Sequence, residues 1–276
     1  EVEAVIHKAL NYWFTAKPVC LNWWYNQIGI PKTLGTVFIL FEKQLTPVEK
    51  QNAITVMENA KFGMTGQNKV WLAGNVMMRA LLQNDYELVK MARDTIASEI
   101  VTGGAEGIKD DWCFHQHGAQ QQFGNYGLSF VSGMSFFSGL FSGTSLAFDD
   151  KQLSILSTLI DKGYRWVIWK GMMDVNALGR QLFHHAPVHK ALSLAFAASE
   201  LGGGESDECM AVATALLRDN YPAPAVNVLT GHKHFWQSDY TIHRRPSWMA
   251  SIKMASDRII GTEMMNGDNM KGYYMA

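Results

Sequence analysis

The chain has 276 residues, enough to bury the core of one large domain, or of one domain and part of another, without disulfide or metal staples. Its formal charge of -1 gives no case for a nucleic-acid or membrane surface, and its three cysteines, Cys20, Cys113 and Cys209, show neither zinc spacing nor a disulfide framework. Nine Trp, nine Tyr and fourteen Phe are many for one chain and supply core, or flat faces of the kind that meet sugar rings.

In chain order, a helix is expected near 2–15. Thr46-Pro47-Val48-Glu49 is a helix start: Thr caps, Pro sits at the first helical position and Glu closes the box. A further helix is expected near 67–82, and Asn84-Asp85-Tyr86-Glu87 repeats the starting device before LVKMARDTIASEIV, which runs toward a stop at Gly103-Gly104. Another is expected near 125–140. Asp150 opens KQLSILSTLIDKGYRWVIWK, with Leu153, Leu156, Ile160 and Val167 at helical spacing and Gly171 as its end. The next is expected near 187–201, and Ser206 opens DECMAVATALLRD.

The texture changes after Tyr221-Pro222-Ala223-Pro224. HKHFWQSDYTIHRRPSWMASIKMASDRII has no helical stripe, and its aromatic and β-branched residues suggest strands. The expected architecture is therefore mainly α: paired helices over 1–221, which suit an α/α toroid, then the first strands of a truncated β domain over 222–276. No apolar stretch reaches the roughly 20 residues of a membrane span. The start at Glu1 without a signal peptide reads as a processed or trimmed chain.

Five segments hold residues that could do chemistry. HQHGAQQQFGNYG, at 115–127, has two histidines flanking a glutamine and a tyrosine nine positions after the second. A metal reading would add Asp110, Asp111 and Cys113, but no recognised ligand spacing is present, and a buried structural histidine is the plain alternative. Further histidines cluster at His184, His185 and His189, and at His232 and His234. In Thr65-Gly66-Gln67-Asn68 the asparagine either caps the following helix or turns its carboxamide, with the helical N–H groups, toward a cleft that holds an anion. In NWWYNQIGIP, at 22–31, two adjacent tryptophans cannot both enter one core from a regular helix, so at least one lines a wall. Gly179-Arg180-Gln181 and Gly261-Thr262-Glu263 complete the set; a solvated arginine and a surface glutamate are their plain readings.

Together and in this order the five segments resemble polysaccharide lyase family eight, the lyases of chondroitin, hyaluronan and xanthan. NWWYNQIGIP is similar to the family's N-W-W-x-x-x-I-G-x-P segment. TGQN resembles its T-G-x-N segment, which carries a catalytic Asn. QHGAQQQFGNYG resembles the family's block with a catalytic His before a Gly and, nine residues on, a catalytic Tyr before another Gly. Gly179-Arg180 resembles the segment with the catalytic Arg, and TEMMNGDN, at 262–269, a later one with a Glu and an Asn near the site. The resemblance covers essentially the whole chain. It implies an incomplete α/α toroid that holds most catalytic groups and a β-sandwich that contributes Glu263, within a longer enzyme. One departure is His184, which stands where the family often has a second arginine, four residues after the first. The resemblance selects His117 and leaves His115 as a neighbour or a wall residue.

The reaction so implied is β-elimination at a uronic acid. The C5 proton leaves, the C4–O bond breaks, and a 4,5-unsaturated sugar remains. Asn68 would hold the carboxylate and the charge that builds on it, an oxyanion-hole role, with no metal or other cofactor needed. A free tyrosine has a pKa of about 10, and a nearby cation favours its phenolate. Arg180 would be that cation, and Tyr126 would take the C5 proton and return one to O4. The alternative, His117 as base and Tyr126 as acid, stays open. Glu263 would orient Arg180 or Tyr126. Trp23 and Trp24 would stack on sugar, with Asn22, Gln67, His184 and Asn266 as further substrate contacts. Arg180, Arg244 and Arg245 would meet sulfate or carboxylate groups. Gly124 and Gly127 would either admit sugar close to the backbone or make turns. The expected protein is a monomer, secreted or periplasmic, with an acidic polysaccharide as its partner: chondroitin sulfate or hyaluronan, with xanthan left open. An α/α-toroid glycoside hydrolase using Asp110-Asp111 and Glu263 and a non-catalytic sugar-binding protein are the competing classes.

Overall fold

The computed structural model describes residues 1–202, 213 and 229–261. The boundary expected near 222, the helix expected from Ser206, and Glu263 and Asn266 lie outside the described residues. The chain divides into two compact units, Glu1–Glu99 and Ile100–Ala276.

The first unit is helical: α1 (Val2–Ala16), α2 (Ile30–Leu40), α3 (Pro47–Met57), α4 (Gly66–Gln83) and α5 (Tyr86–Ala97). The capping box at α3 forms as expected. Thr46 accepts from the Glu49 N–H at 3.2 Å, and Glu49 accepts from the Thr46 N–H at 2.9 Å. Glu49 is buried and also bonds the His7 ring at 2.8 Å, so the same carboxylate ties α1 to the start of α3. Asn84 takes a left-handed conformation that ends α4, and Asp85 caps α5 by accepting from the Leu88 N–H at 3.0 Å. α5 ends at Ala97, well before Gly103. α4 is the central element, packed on α2, α3 and α5. Leu10, Phe14, Phe38, Ala53, Met57 and Leu82 form one core cluster, each large apolar side chain contributing about 1.5–3 kcal/mol by burial.

The second unit begins with a short antiparallel pair, β1 (Gly107–Ile108) and β2 (Phe114–His115). A π-helical turn at Phe123–Gly127 leads into α6 (Leu128–Phe141). α7 (Asp150–Thr158) is capped by Asp149 rather than started by Asp150: the Asp149 carboxylate accepts from the Gln152 N–H at 2.8 Å. The helix expected to reach Gly171 stops earlier. It passes through a π-helical turn at Leu159–Tyr164 and α8 (Arg165–Val167), then leaves as β3 (Ile168–Trp169), which pairs antiparallel with β4 (Met172–Met173). Lys170 and Gly171 both have positive φ, 48° and 71°, the geometry of a tight two-residue hairpin. Gly171 is thus a turn residue.

α9 (Ala186–Gly202) packs on α6, α7 and β4. The expected strands follow: β5 (Gly231–Phe235), β6 (Tyr240–Arg245) and β7 (Trp248–Lys253), antiparallel in that order, with Gly231 opposite Arg244 and Tyr240 opposite Lys253. On β6, Tyr240, Ile242 and Arg244 face inward in the period-2 pattern of a strand. Phe235 meets Phe123 edge-on, with ring centroids 5.2 Å apart. Beyond β7, the Ile260 N–H donates to the Ala119 carbonyl at 2.9 Å, and Gln120 donates to the Gly261 carbonyl. The chain leading toward Glu263 is thereby fastened to the loop that carries His117. Among the described residues no helix is long and apolar enough to cross a membrane.

Candidate active site

After β2 the chain doubles back. The Gln120 N–H donates to the Gly118 carbonyl at 2.8 Å and the Gln122 N–H to the Phe114 carbonyl at 2.9 Å. Glu106 holds the bend, accepting from the Gly118 N–H at 2.9 Å and from the Gln116 amide. At this bend His117 has φ 61°, a left-handed conformation that costs a non-glycine residue about 1–2 kcal/mol. The fold sets His117 beside the π-helical turn: its ring centroid is 4.7 Å from that of Tyr126, at 65°. Arg180 comes from the loop after β4. Its Nη2 donates to the Tyr126 hydroxyl at 3.3 Å and its Cζ lies 5.5 Å from the ring centroid. Tyr126 is 5% exposed, so water screens the guanidinium–phenol interaction weakly. A cation donating to a phenol oxygen stabilises the phenolate. The arrangement is therefore suited to proton transfer at Tyr126.

Two glycines make this approach possible. A Cβ on Gly124 would lie 2.7 Å from the Leu178 Cα and 2.9 Å from the Met173 Sδ, and one on Gly179 (φ 67°) would lie 2.9 Å from the Gln122 Oε1. The segment ending in Tyr126 and the segment reaching Arg180 touch through their backbones. Gly127 faces the Tyr164 hydroxyl and the Phe114 side chain. The expectation that Gly124 and Gly127 admit sugar is corrected: both serve close packing of protein on protein.

Lys190, which the sequence reading missed, is 5% exposed, and burial lowers its pKa to about 8. Its ammonium donates to the Gly124 carbonyl and, at 2.7 Å, to the Gln181 Oε1. The signal was a lysine on the apolar stripe of α9, four residues after Ala186 and four before Leu194, both buried.

Other expected residues fall elsewhere. His115 is not a wall residue. It is 2% exposed, its Nε2 lies 2.9 Å from the Ser238 Oγ, and burial above all lowers its pKa to about 4. Arg244 is buried and donates to the carbonyls of Arg165 at 2.6 Å and Ile168 at 2.8 Å, so it fastens β6 to α8 and β3 and does not meet sulfate. Asp111 accepts from the Cys113 N–H at 3.0 Å and the Gln237 N–H at 2.6 Å. Among the described residues no group of three or more His, Cys, Asp or Glu is arranged to hold a metal. His184 is exposed, with its ring centroid 3.7 Å from that of His185.

The first unit holds the other expected contacts. Asn22 accepts from the Trp24 N–H at 3.0 Å. Trp23 is 44% exposed, while half-buried Trp24 stands edge-on to Tyr25 at 5.3 Å and to Trp71 at 5.5 Å. Buried Asn75 donates to the Ile28 carbonyl at 3.0 Å and so pins the π-helical turn Tyr25–Gly29 that follows the tryptophans. Asn68 does not cap α4; Thr65 occupies the cap position. Asn68 lies in the first turn, three residues before Trp71, and its buried Oδ1 has no hydrogen-bond partner among the described residues. The Gly66 N–H is already taken by the Glu99 carboxylate at 2.7 Å, which also pairs with Lys69 at 2.8 Å. Gln67 is 0% exposed, so its side chain faces protein and not solvent.

The polysaccharide lyase family 8 N terminal alpha-helical domain matches residues 1–199, and the family's super-sandwich domain matches 230–276. The chain belongs to polysaccharide lyase family 8. Relatives in this family include the Chondroitinase-AC of Pedobacter heparinus, 29% identical over 98% of this chain and 39% of the relative. The hyaluronate lyase of Thermasporomyces composti is 27% identical, covering 92% and 37%, and the xanthan lyase of a Bacillus species 25%, covering 96% and 32%. The chain thus spans well under half the length of these relatives. A solved chondroitinase AC lyase superposes with a TM-score of 0.83 at 27% identity, covering 96% of this chain and 40% of that one. A Paenibacillus xanthan lyase gives 0.84 at 21% identity, covering 99% and 30%, a likeness of fold. The family 8 fold is that expected from the sequence: mainly α, part of an α/α toroid, followed by strands of the super-sandwich domain.

Proposed function

We propose that this chain carries the eliminating centre of a polysaccharide lyase, and that the full-length enzyme cleaves a uronic-acid-containing glycosaminoglycan, chondroitin sulfate or hyaluronan. The carrying observation is the Arg180 guanidinium donating to the Tyr126 hydroxyl at 3.3 Å, with the His117 ring 4.7 Å from the Tyr126 ring. The Arg180 guanidinium, donating to the Tyr126 oxygen, favours the phenolate form that the step requires. The phenolate oxygen takes the C5 proton, the freed electron pair forms the C4=C5 double bond, and the C4–O bond breaks. The proton on Tyr126 then passes to the departing O4, which restores the phenolate. His117 stands beside the Tyr126 ring, where it assists the proton transfer. The donor–acceptor relation between Arg180 and Tyr126 favours Tyr126 as base over His117.

The remaining roles rest on the family resemblance. Asn68 neutralises the uronate carboxylate, Trp23 and Trp24 stack on sugar with Asn22 and His184 beside them, and Glu263 and Asn266 complete the site. Gln67, also expected as a substrate contact, adjoins Asn68 in the sequence and is buried. A polymeric substrate found outside cells supports a secreted or periplasmic enzyme. The scheme uses groups of one chain, which supports a monomer as the working form. A xanthan-cleaving enzyme is the second reading, favoured by the xanthan lyase relative that covers 96% of this chain. The test is an ultraviolet assay of the full-length parent on chondroitin sulfate, dermatan sulfate, hyaluronan and xanthan. An absorbing C=C–COO⁻ product from chondroitin sulfate or hyaluronan is expected. Absorbing product from xanthan alone establishes the second reading, and saturated ends or no cleavage defeats both.

A further inference from the structure

We propose that Lys190 is a positioning residue for the Tyr126–Arg180 pair, its ammonium clamping together the two segments that carry them. The inference rests on the eliminating role of that pair and goes beyond it by naming what fixes its spacing. A buried ammonium is costly unless its donors are matched. Here two acceptors converge on it: the Gly124 carbonyl and the Gln181 Oε1, the latter at 2.7 Å. Gly124 precedes Tyr126 by two residues within the same π-helical turn, and Gln181 adjoins Arg180. Such turns widen the helix and recur at functional sites, where backbone groups need partners from outside the helix. Lys190 supplies one for Gly124. The Gly124 backbone also lies against Leu178, so the ammonium and the close glycine contact act on the same seam. Neither acceptor is charged, so the clamp works by geometry: three N–H donors on a buried four-carbon stem, fixed by α9. The effect of Lys190 passes through its two acceptors, Gly124 and Gln181.

The experiment compares Lys190→Met, Lys190→Arg and Gln181→Met with wild type in the full-length enzyme, by steady-state kinetics on its best polymer and by crystal structures. Small misplacements of reacting groups cost up to about 100-fold in rate. Lys190→Met is therefore expected to lower kcat by about 10–100-fold with KM changed by less than about threefold. Lys190→Arg, which keeps a cationic donor, should recover part of the loss, and Gln181→Met, which removes one acceptor, should lose less than Lys190→Met. In the crystal the Tyr126 hydroxyl should leave hydrogen-bond reach of Arg180 in Lys190→Met, or in Gln181→Met should the first variant not fold. An unchanged Tyr126–Arg180 contact overturns the proposal whether or not the enzyme turns over. So does a wild-type kcat, or a loss that sits wholly in KM. A wild-type enzyme with no eliminating activity, but a contact that breaks in the variants, overturns the functional reading while leaving the clamp in place.

Discussion

His115 and His117 are two residues apart and have opposite fates. β2 ends at His115, which points inward to Ser238, and the left-handed backbone at His117 breaks the strand alternation that would have set both rings on one face. No residue type in HQHGAQQQFGNYG announces that bend, so the resemblance and not the spacing separated the two. Arg244 was more legible: Tyr240, Ile242 and Arg244 alternate along β6, and a period-2 reading would have turned the arginine inward. His115 also sets a pH dependence. Its folded pKa, about 4, lies below the 6.5 of a free histidine, so the unfolded chain binds the extra proton between those values. Stability is complete above about pH 6.5 and falls as pH drops toward 4, by on the order of 3 kcal/mol. Urea unfolding from pH 7 to pH 4.5 should show this slope, and His115→Gln should flatten it. An equal slope in both proteins would assign the acid loss to other groups.

At the level of elements, polar helix signals read true where side chain and backbone answer each other locally. Thr46 with Glu49, and Asp85 with the Leu88 N–H, are examples. Ends set by tertiary packing did not read. The helix from Asp150 stops at Val167 because Ile168 and Trp169 pair with Met172 and Met173 across a Lys170-Gly171 turn, and helical spacing alone cannot see that partner. Gly124 is a tight element-level constraint beside the site. A Cβ there would press on the Leu178 backbone at 2.7 Å and on the Ala177 carbonyl at 3.0 Å, and neither is a flexible side-chain end. Gly124→Ala is expected to destabilise by about 1–3 kcal/mol, as overpacking does, and to lower kcat as the π-helical turn moves away from Arg180. Denaturant midpoints and turnover check both. An unchanged midpoint with unchanged turnover would mean that the segments do not meet this tightly.

For the molecule as a whole, motif order was the most informative feature. Aromatic pair, amide, His–Tyr block and arginine resemble the family's segments in order, and the helical and super-sandwich domains of family 8 match along the chain. Composition and helical spacing alone reached only a helical protein rich in aromatics. It could not reveal that Lys190, on an apolar helix stripe, ends between Gly124 and Gln181. The central claim is that Tyr126, held by Arg180, moves the proton, and one variant tests it most directly. Tyr126→Phe keeps the ring beside His117 and removes only the hydroxyl. In the full-length parent it should cut turnover by about 100–10,000-fold, the usual contribution of an acid–base group, with oligosaccharide affinity within a few-fold of wild type by calorimetry. Turnover at the wild-type rate would remove Tyr126 from the chemistry.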